Sequence, residues 1–226
     1  MPVVLALAAC GGETPDAEAP QAEARTRAEA GDTLPIMGPE RRILAFGDSL
    51  FAGYGVEQAE SYPARLEASL RARGINARVA NAGVSGDTSA AGRQRLGFVL
   101  DSMEAPPELA IVELGGNDLL RGLAPSETRA NLDAMLTELE GRGIEVLLMG
   151  MRAPPNMGAE FQAEFDGLYR ELAQKHGAAL VPFFLEPIYD KPVMIQQDRI
   201  HPTAPGIEEL VAATVDDVAQ ALPPVE

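Results

Sequence analysis

In the run ILAFGDSLFAGYG, residues 43 to 55, Ser49 follows an apolar segment by way of a glycine and an acid, a place where a hydroxyl can stand at a strand end. A serine hydroxyl is a weak nucleophile alone. Acyl transfer needs a base within hydrogen-bond reach, an acid to orient that base, and donors aimed at the developing oxyanion. The chain has two histidines, His176 and, in DRIHP, His201. His176 ends an amphipathic segment before Gly177, where a cation suits the helix dipole, so His201 is the base candidate. Asp198, three residues before His201, is the candidate to orient it, because a loop entering a helix can bring both side chains to one side of the turn. The Gly83 amide, the Asn117 side chain and the Ser49 amide are the candidate oxyanion donors.

Elements able to position these residues are legible from Arg41 onward. Ile43 to Phe46, Arg78 to Ala82, Leu109 to Leu114, Glu145 to Met149 and Ala179 to Val181 are short apolar runs bounded by glycine, proline or charge, which predicts five buried strands. Helices are predicted from Ser61-Tyr62-Pro63 to Gly74, over Ser126 to Arg142, over Phe161 to His176, and after Pro205. Strands and helices alternating at these lengths imply an α/β fold with a five-stranded parallel sheet covered on both faces. Ligands collect at the carboxyl ends of such strands, and Ser49, Gly83, Asn117 and the Met151 to Pro155 segment all follow strands.

Composition narrows the partners. There are 34 acidic against 18 basic residues, a formal charge of −16. Such a surface repels phosphate backbones and anionic headgroups, which predicts no nucleic-acid partner. A hydrophobic fraction of 46% and a charged fraction of 23% suit an ordinary folded domain. No Cys/His cluster suggests a metal. A nucleophile elbow fails because Phe51 stands where G-x-S-x-G requires its second glycine, and a dinucleotide fingerprint fails at Gln58.

The blocks FGDSL at 46 to 50, NAGVSGDT at 81 to 88, GGNDLLRG at 115 to 122, MRAPPNMG at 151 to 158 and DRIHP at 198 to 202 together resemble the GDSL or SGNH hydrolases, and among them the bacterial thioesterase I, lysophospholipase and arylesterase group. The resemblance covers residues 43 to 222 in the expected order. It implies a three-layer α/β/α flavodoxin-like fold. It also implies that the Ser, Gly, Asn and His of that family fall on Ser49, Gly83, Asn117 and His201, with Asp198 completing a triad. The implied activity is hydrolysis of aryl esters, acyl thioesters or lysophospholipids, with no metal or organic cofactor.

Neighbouring residues invite further assignments. Asp48 and Asp118 are expected to anchor backbone amides. Arg121 and Arg152 are expected to pair with acids, the alternative being contact with substrate. Met151, Pro154, Pro155 and Met157, with Met149, form a candidate acyl-facing wall, the alternative being core packing. Two other functions stay open: a carbohydrate O-acetyl esterase, told apart by its preference for acetyl groups, and a catalytically idle envelope binding protein, told apart by inertness to serine reagents.

The N-terminal MPVVLALAAC resembles a bacterial lipoprotein signal ending at Cys10, although no lysine or arginine precedes the apolar run. Residues 11 to 40 carry almost no large apolar side chains and read as a tether. The expected organisation is thus a signal segment over 1–10, a linker over 11–40 and a hydrolase domain over 41–226. The expected location is the periplasm or cell envelope, with any membrane attachment through a lipid on Cys10. Oligomeric state is not legible.

Overall fold

A computed structural model describes residues 38–225. The signal segment, Cys10 and all but the last three residues of the predicted tether lie outside the described residues. Five parallel strands form one sheet in the order β2-β1-β3-β4-β5. They are β1 (Arg41–Gly47), β2 (Ala77–Gly83), β3 (Leu109–Glu113), β4 (Glu145–Met149) and β5 (Ala179–Val181). The strand predictions hold to within two residues at each end. One boundary matters for function: β2 pairs with β1 as far as Gly83, opposite Gly47, so Asn81 to Gly83 belong to the strand and the loop opens only at Val84.

Among the described residues seven α-helices accompany the sheet. They are α1 (Ser49–Ala52), α2 (Tyr62–Ala72), α3 (Ser89–Ser102), α4 (Gly116–Leu120), α5 (Pro125–Gly141), α6 (Ala159–His176) and α7 (Ala204–Ala221). Helices α2 and α7 pack together, and α3, α5 and α6 form a second contiguous layer. Right-handed crossovers require that division, since β1 to β2 runs one way along the sheet and β2 to β3, β3 to β4 and β4 to β5 run the other. The three-layer α/β/α expectation therefore holds. Helix α3 was not predicted from sequence; its SAAGRQRLGFVLDS carries two glycines and two arginines around a sparse apolar stripe, of which Leu96 and Leu100 are buried. Among the described residues no helix is long and apolar enough to cross a membrane.

The chain leaves β1 for β2 on one side and later reaches β3 on the other, so a crevice opens at the carboxyl ends of β1 and β3. What supports the crevice is aromatic. Phe51 stacks on Tyr62 at 5.0 Å and meets Phe184 edge-on at 5.8 Å, while Tyr62 meets Phe184 edge-on at 5.0 Å, and all three rings are buried. Phe51 belongs to the turn that carries Ser49, so core packing reaches the site directly. Phe51→Ala should lower the unfolding free energy by about 3 to 5 kcal/mol in a urea titration, and a loss below about 1 kcal/mol would mean that this ring cluster does not support the turn.

Candidate active site

Strand β1 ends at Gly47 because nothing larger fits: a Cβ there would lie 2.8 Å from the Glu113 carbonyl oxygen and 2.9 Å from a Phe51 ring carbon. Asp48 then caps the four-residue helix α1, its Oδ1 accepting from the Leu50 amide at 3.0 Å. Ser49 opens α1, and Gly53 in the left-handed region (φ 82°) closes it. The Ser49 hydroxyl thus stands on a capped turn with the aromatic cluster beneath it.

His201 reaches Ser49 from the far end of the chain. Its Nε2 lies 2.8 Å from Ser49 Oγ, and its Nδ1 lies 2.6 Å from Asp198 Oδ2. With the ring proton on Nδ1, as the Asp198 carboxylate requires, Nε2 accepts from the serine hydroxyl. The other Asp198 oxygen accepts from the Ile200 and His201 amides at 2.9 and 3.1 Å. Burial opposes the charge on Asp198, but the His201 ring and the Ile200 and His201 amides together outweigh it and hold its carboxyl down to about 2. Asp198 therefore stays ionised throughout the range in which an imidazole titrates. Arg199, between them, adopts φ 62° and is the one non-glycine residue with positive φ among the described residues.

The loop is tied to the serine side by Gln196. Its Nε2 donates to the carbonyls of Tyr54 and Pro202, both at 2.8 Å, and its amide donates to the His201 carbonyl at 2.8 Å. The Tyr54 ring lies against the imidazole with centroids 4.3 Å apart.

A cleft of about 250 Å³ opens over Ser49 and His201, with Gly86, Asn117 and Asp48 at its polar end. Asn117 lies in α4, following Gly115 at φ 117°, and its Nδ2 donates to Asp48 Oδ2 at 2.9 Å, leaving one amide hydrogen over. Among the described residues, the Ser49 and Gly86 amides have no protein acceptor. Gly86, at φ 86°, is held from two sides. Arg121 donates to its carbonyl at 2.7 Å, and the Asp87 carboxylate beside it binds Arg95, which also donates to the Gly47 carbonyl at 2.9 Å.

Gly83, expected as an oxyanion donor, is not brought to the cleft. Its amide donates to Asn81 Oδ1 at 2.9 Å, and a Cβ on it would sit 2.3 Å from the Ala52 nitrogen. Its part is to let β2 pack under α1, while Asn81 Nδ2 donates to the Phe51 carbonyl at 2.9 Å. Gly86, three residues on in the same NAGVSGDT block, takes the position at the cleft. The expected wall is corrected as well. Met151 lines the cleft, but Pro154, Pro155 and Met157 lie in the connection before α6 and do not, and Met149 is core. Leu120, Leu185, Ile200 and Tyr54 supply the apolar lining instead, and only the Leu119-Leu120 pair beside GGND hinted at this.

The remaining expectations divide. Asp118 is buried and accepts from the Ser89 amide at 2.7 Å, the Ser89 hydroxyl and Thr128 Oγ1, an anchoring role like that of Asp48. Arg152 pairs loosely with Glu186 at 3.8 Å, whereas Arg121 binds a carbonyl and no acid. His176 sits between Asp133 at 2.7 Å and Glu140 at 3.1 Å, far from Ser49 in the fold, as its structural reading requires. Among the described residues no group of three acidic, histidine or cysteine side chains is placed to hold a metal ion.

Comparison with known proteins gives this geometry a context. Residues 45–208 match the model of the GDSL-like lipase/acylhydrolase family. The chain is 42% identical over 160 residues to the esterase TesA of Pseudomonas aeruginosa, covering 71% of this chain and 79% of that one. It is 39% identical over 176 residues to thioesterase 1/protease 1/lysophospholipase L1 of Escherichia coli, covering 78% of each. Among solved structures it is similar to AlinE4, described as an SGNH-hydrolase family esterase, with 66% identity and a TM-score of 0.71 over 83% of this chain and 100% of that one. The chain therefore belongs to the GDSL-like lipase/acylhydrolase family.

Proposed function

We propose that the protein hydrolyses carboxylic esters and thioesters of apolar acyl chains through an acyl-enzyme on Ser49. The observation that carries this is the unbroken hydrogen-bonded path from Asp198 through His201 to Ser49, ending in a cleft that Gly86 and Asn117 also line. His201 Nε2 takes the Ser49 proton as Oγ attacks the acyl carbonyl carbon. Negative charge develops on the carbonyl oxygen, where the Ser49 and Gly86 amides and the free hydrogen of Asn117 meet it. The imidazolium, stabilised by the Asp198 carboxylate, returns its proton to the leaving oxygen or sulfur. Water then gives its proton to Nε2 and attacks the acyl carbon, and expulsion of the acid regenerates the serine hydroxyl. No step calls on a metal or an organic cofactor.

The apolar lining from Leu120, Met151, Leu185 and Ile200 supports an acyl chain over a bare acetyl group, since a hydrophobic chain gains by leaving water for such a wall. The named relatives, an esterase and a thioesterase/lysophospholipase, support the same class of substrate. Export with a lipid on Cys10 is also part of this reading, supported by the apolar run that ends there. Expressed with its own leader, the protein should show an intact mass with acyl groups added to Cys10, and a free thiol on an uncleaved chain would refute the anchor.

Rates on p-nitrophenyl esters from acetyl to palmitoyl and on acyl thioesters should peak beyond acetyl, and Ser49→Ala should lower kcat by about 10⁴ or more. An optimum at acetyl would favour an acetyl esterase, and a wild type inert to every ester and to serine reagents would leave only a binding role. Asn117→Ala should lower kcat by about 10² to 10³ with little change in KM, and a loss under about tenfold would remove Asn117 from the oxyanion hole.

A further inference from the structure

One buried acid beside the site takes no part in this mechanism. Glu113 ends β3 with 0% of its surface exposed. Its Oε2 accepts from the Asp48 amide at 3.3 Å, and among the described residues no donor reaches its Oε1. None of the described lysines, arginines or histidines pairs with it. Its carboxyl instead lies against the turn of a second buried acid, Asp48, whose amide it binds. Two carboxyl groups form a hydrogen bond only when one of them carries a proton, and two buried carboxylates in contact cannot both ionise at neutral pH.

The donors around the pair decide which one is protonated. Burial pushes the Asp48 carboxyl up as well, but the Leu50 amide, the Asn117 amide and the facing His201 favour its charge and offset part of that rise. Glu113 receives one long backbone bond. Its complete burial, and then the neighbouring Asp48 charge, push its carboxyl well above the ordinary range. The other titratable groups on the elements packed here add no compensating cation. Tyr169 of α6 donates to the Leu114 carbonyl, Asp166 of α6 accepts from Ala153, and Asp118 of α4 is held by Ser89 and Thr128. Arg95 of α3 is spent on Asp87 and the Gly47 carbonyl.

We propose that Glu113 carries the proton and donates it in a hydrogen bond to the Asp48 carboxylate, making Glu113 a positioning residue that fixes Asp48 and, through it, the Asn117 amide in the oxyanion hole. The proposal rests on the role given to Asn117 above. Asn117 Nδ2 has two hydrogens, and the direction of the one left for substrate is set by where Asp48 Oδ2 holds the other. The shared proton also limits the negative charge behind the oxyanion hole to one. Ionisation of Glu113 would put a second anion there and oppose the charge developing on the substrate.

The sign of the pH effect follows. An acid whose folded-state value is raised above its unfolded value of about 4.3 makes the fold bind more protons than the unfolded chain, so stability falls as pH rises between those two values. Glu113→Gln keeps the shape and an N–H donor for Asp48 but cannot ionise. Its unfolding midpoint in urea should therefore gain on the wild type's steadily as pH is raised from about 4.5. Parallel midpoints across that range would show that Glu113 is ionised, or not coupled to Asp48, and would overturn the proposal.

Kinetics test the positioning step. Glu113→Gln should keep kcat at neutral pH within a few-fold and retain it at alkaline pH where the wild type declines. Glu113→Leu, which fills the space without a donor, should lower kcat by about tenfold or more with KM within about twofold. The Glu113→Leu loss should vanish on the Asn117→Ala background, because both changes remove one device. Additive losses, or a Glu113→Gln enzyme as slow as Glu113→Leu, would sink the relay. If Ser49→Ala or Asn117→Ala were fully active, the functional reading and the relay would both fall, while the pH-dependent stability would still decide whether Glu113 holds the proton.

Discussion

Asp48 must keep a charge at the end of a strand with only 2% of its surface exposed, and the geometry of the site follows from how its oxygens are satisfied. A buried carboxylate without partners costs several kcal/mol, so the surrounding chain is obliged to bring donors to it. One donor is the Leu50 amide, which turns the chain into α1 and sets Ser49 at its head. Another is the Asn117 amide, arriving from the end of β3 by way of Gly115 and Gly116. The Ser49 turn and the Asn117 amide thereby share one fixed point. Gly47 completes the constraint, because only a residue without a side chain lets Glu113 approach the same turn from beneath.

The base is held by a different means. His201 comes from a loop between β5 and α7 with no sheet of its own beyond a single bridge between Ile195 and Pro202. Loop precision has to come from hydrogen bonds, and here Asp198 and Gln196 supply them. Asp198 binds the imidazole with one oxygen and two successive amides with the other, which makes the left-handed Arg199 tolerable at a cost of about 1 to 2 kcal/mol. Gln196 ties that loop to Tyr54 on the serine side, and Tyr54 in turn covers one face of the imidazole. Ser49 and His201 are thus each oriented by a neighbour whose own position is over-determined.

The strand pattern was legible because parallel strands buried on both faces read as continuous apolar runs, as in LAIVE of β3 and EVLLM of β4. Ser49, Asn117, Asp198 and His201 were legible as types because they stand just beyond such runs or beside the final helix. Gly83 was misplaced for one reason: composition does not reveal that β2 continues through NAG to pair Gly83 with Gly47, and the loop starts two residues before the glycine that reaches the cleft. Helix α3 was missed because Gly92 belongs to its packing face, where a Cβ would lie 2.4 Å from a Leu114 methyl, so a residue that reads as a breaker is there for close approach. Glu113 draws no assignment from the sequence, because nothing in LAIVE announces a carboxyl buried beside Asp48.

The wall of the cleft was the least legible part, and the reason is where specificity sits in such a fold. Ser49, Asn117 and Gly86 are placed by strand ends and tight turns whose backbone geometry leaves little choice of residue. Leu120 ends the five-residue helix α4 and Ile200 lies in the loop before α7, 61% and 39% exposed, while Leu185 comes from the connection after β5. Their exposed surface is free to change without disturbing the buried hydrogen bonds around Asp48, since loops carried on a rigid scaffold tolerate substitution. A sequence block can therefore preserve the chemistry while saying little about the acyl chain it serves. Met151 is the exception that marks the boundary: it is nearly buried, its methyl lies 3.4 Å from where a Cβ on Gly116 would stand, and it belongs to both the buried core and the cleft wall.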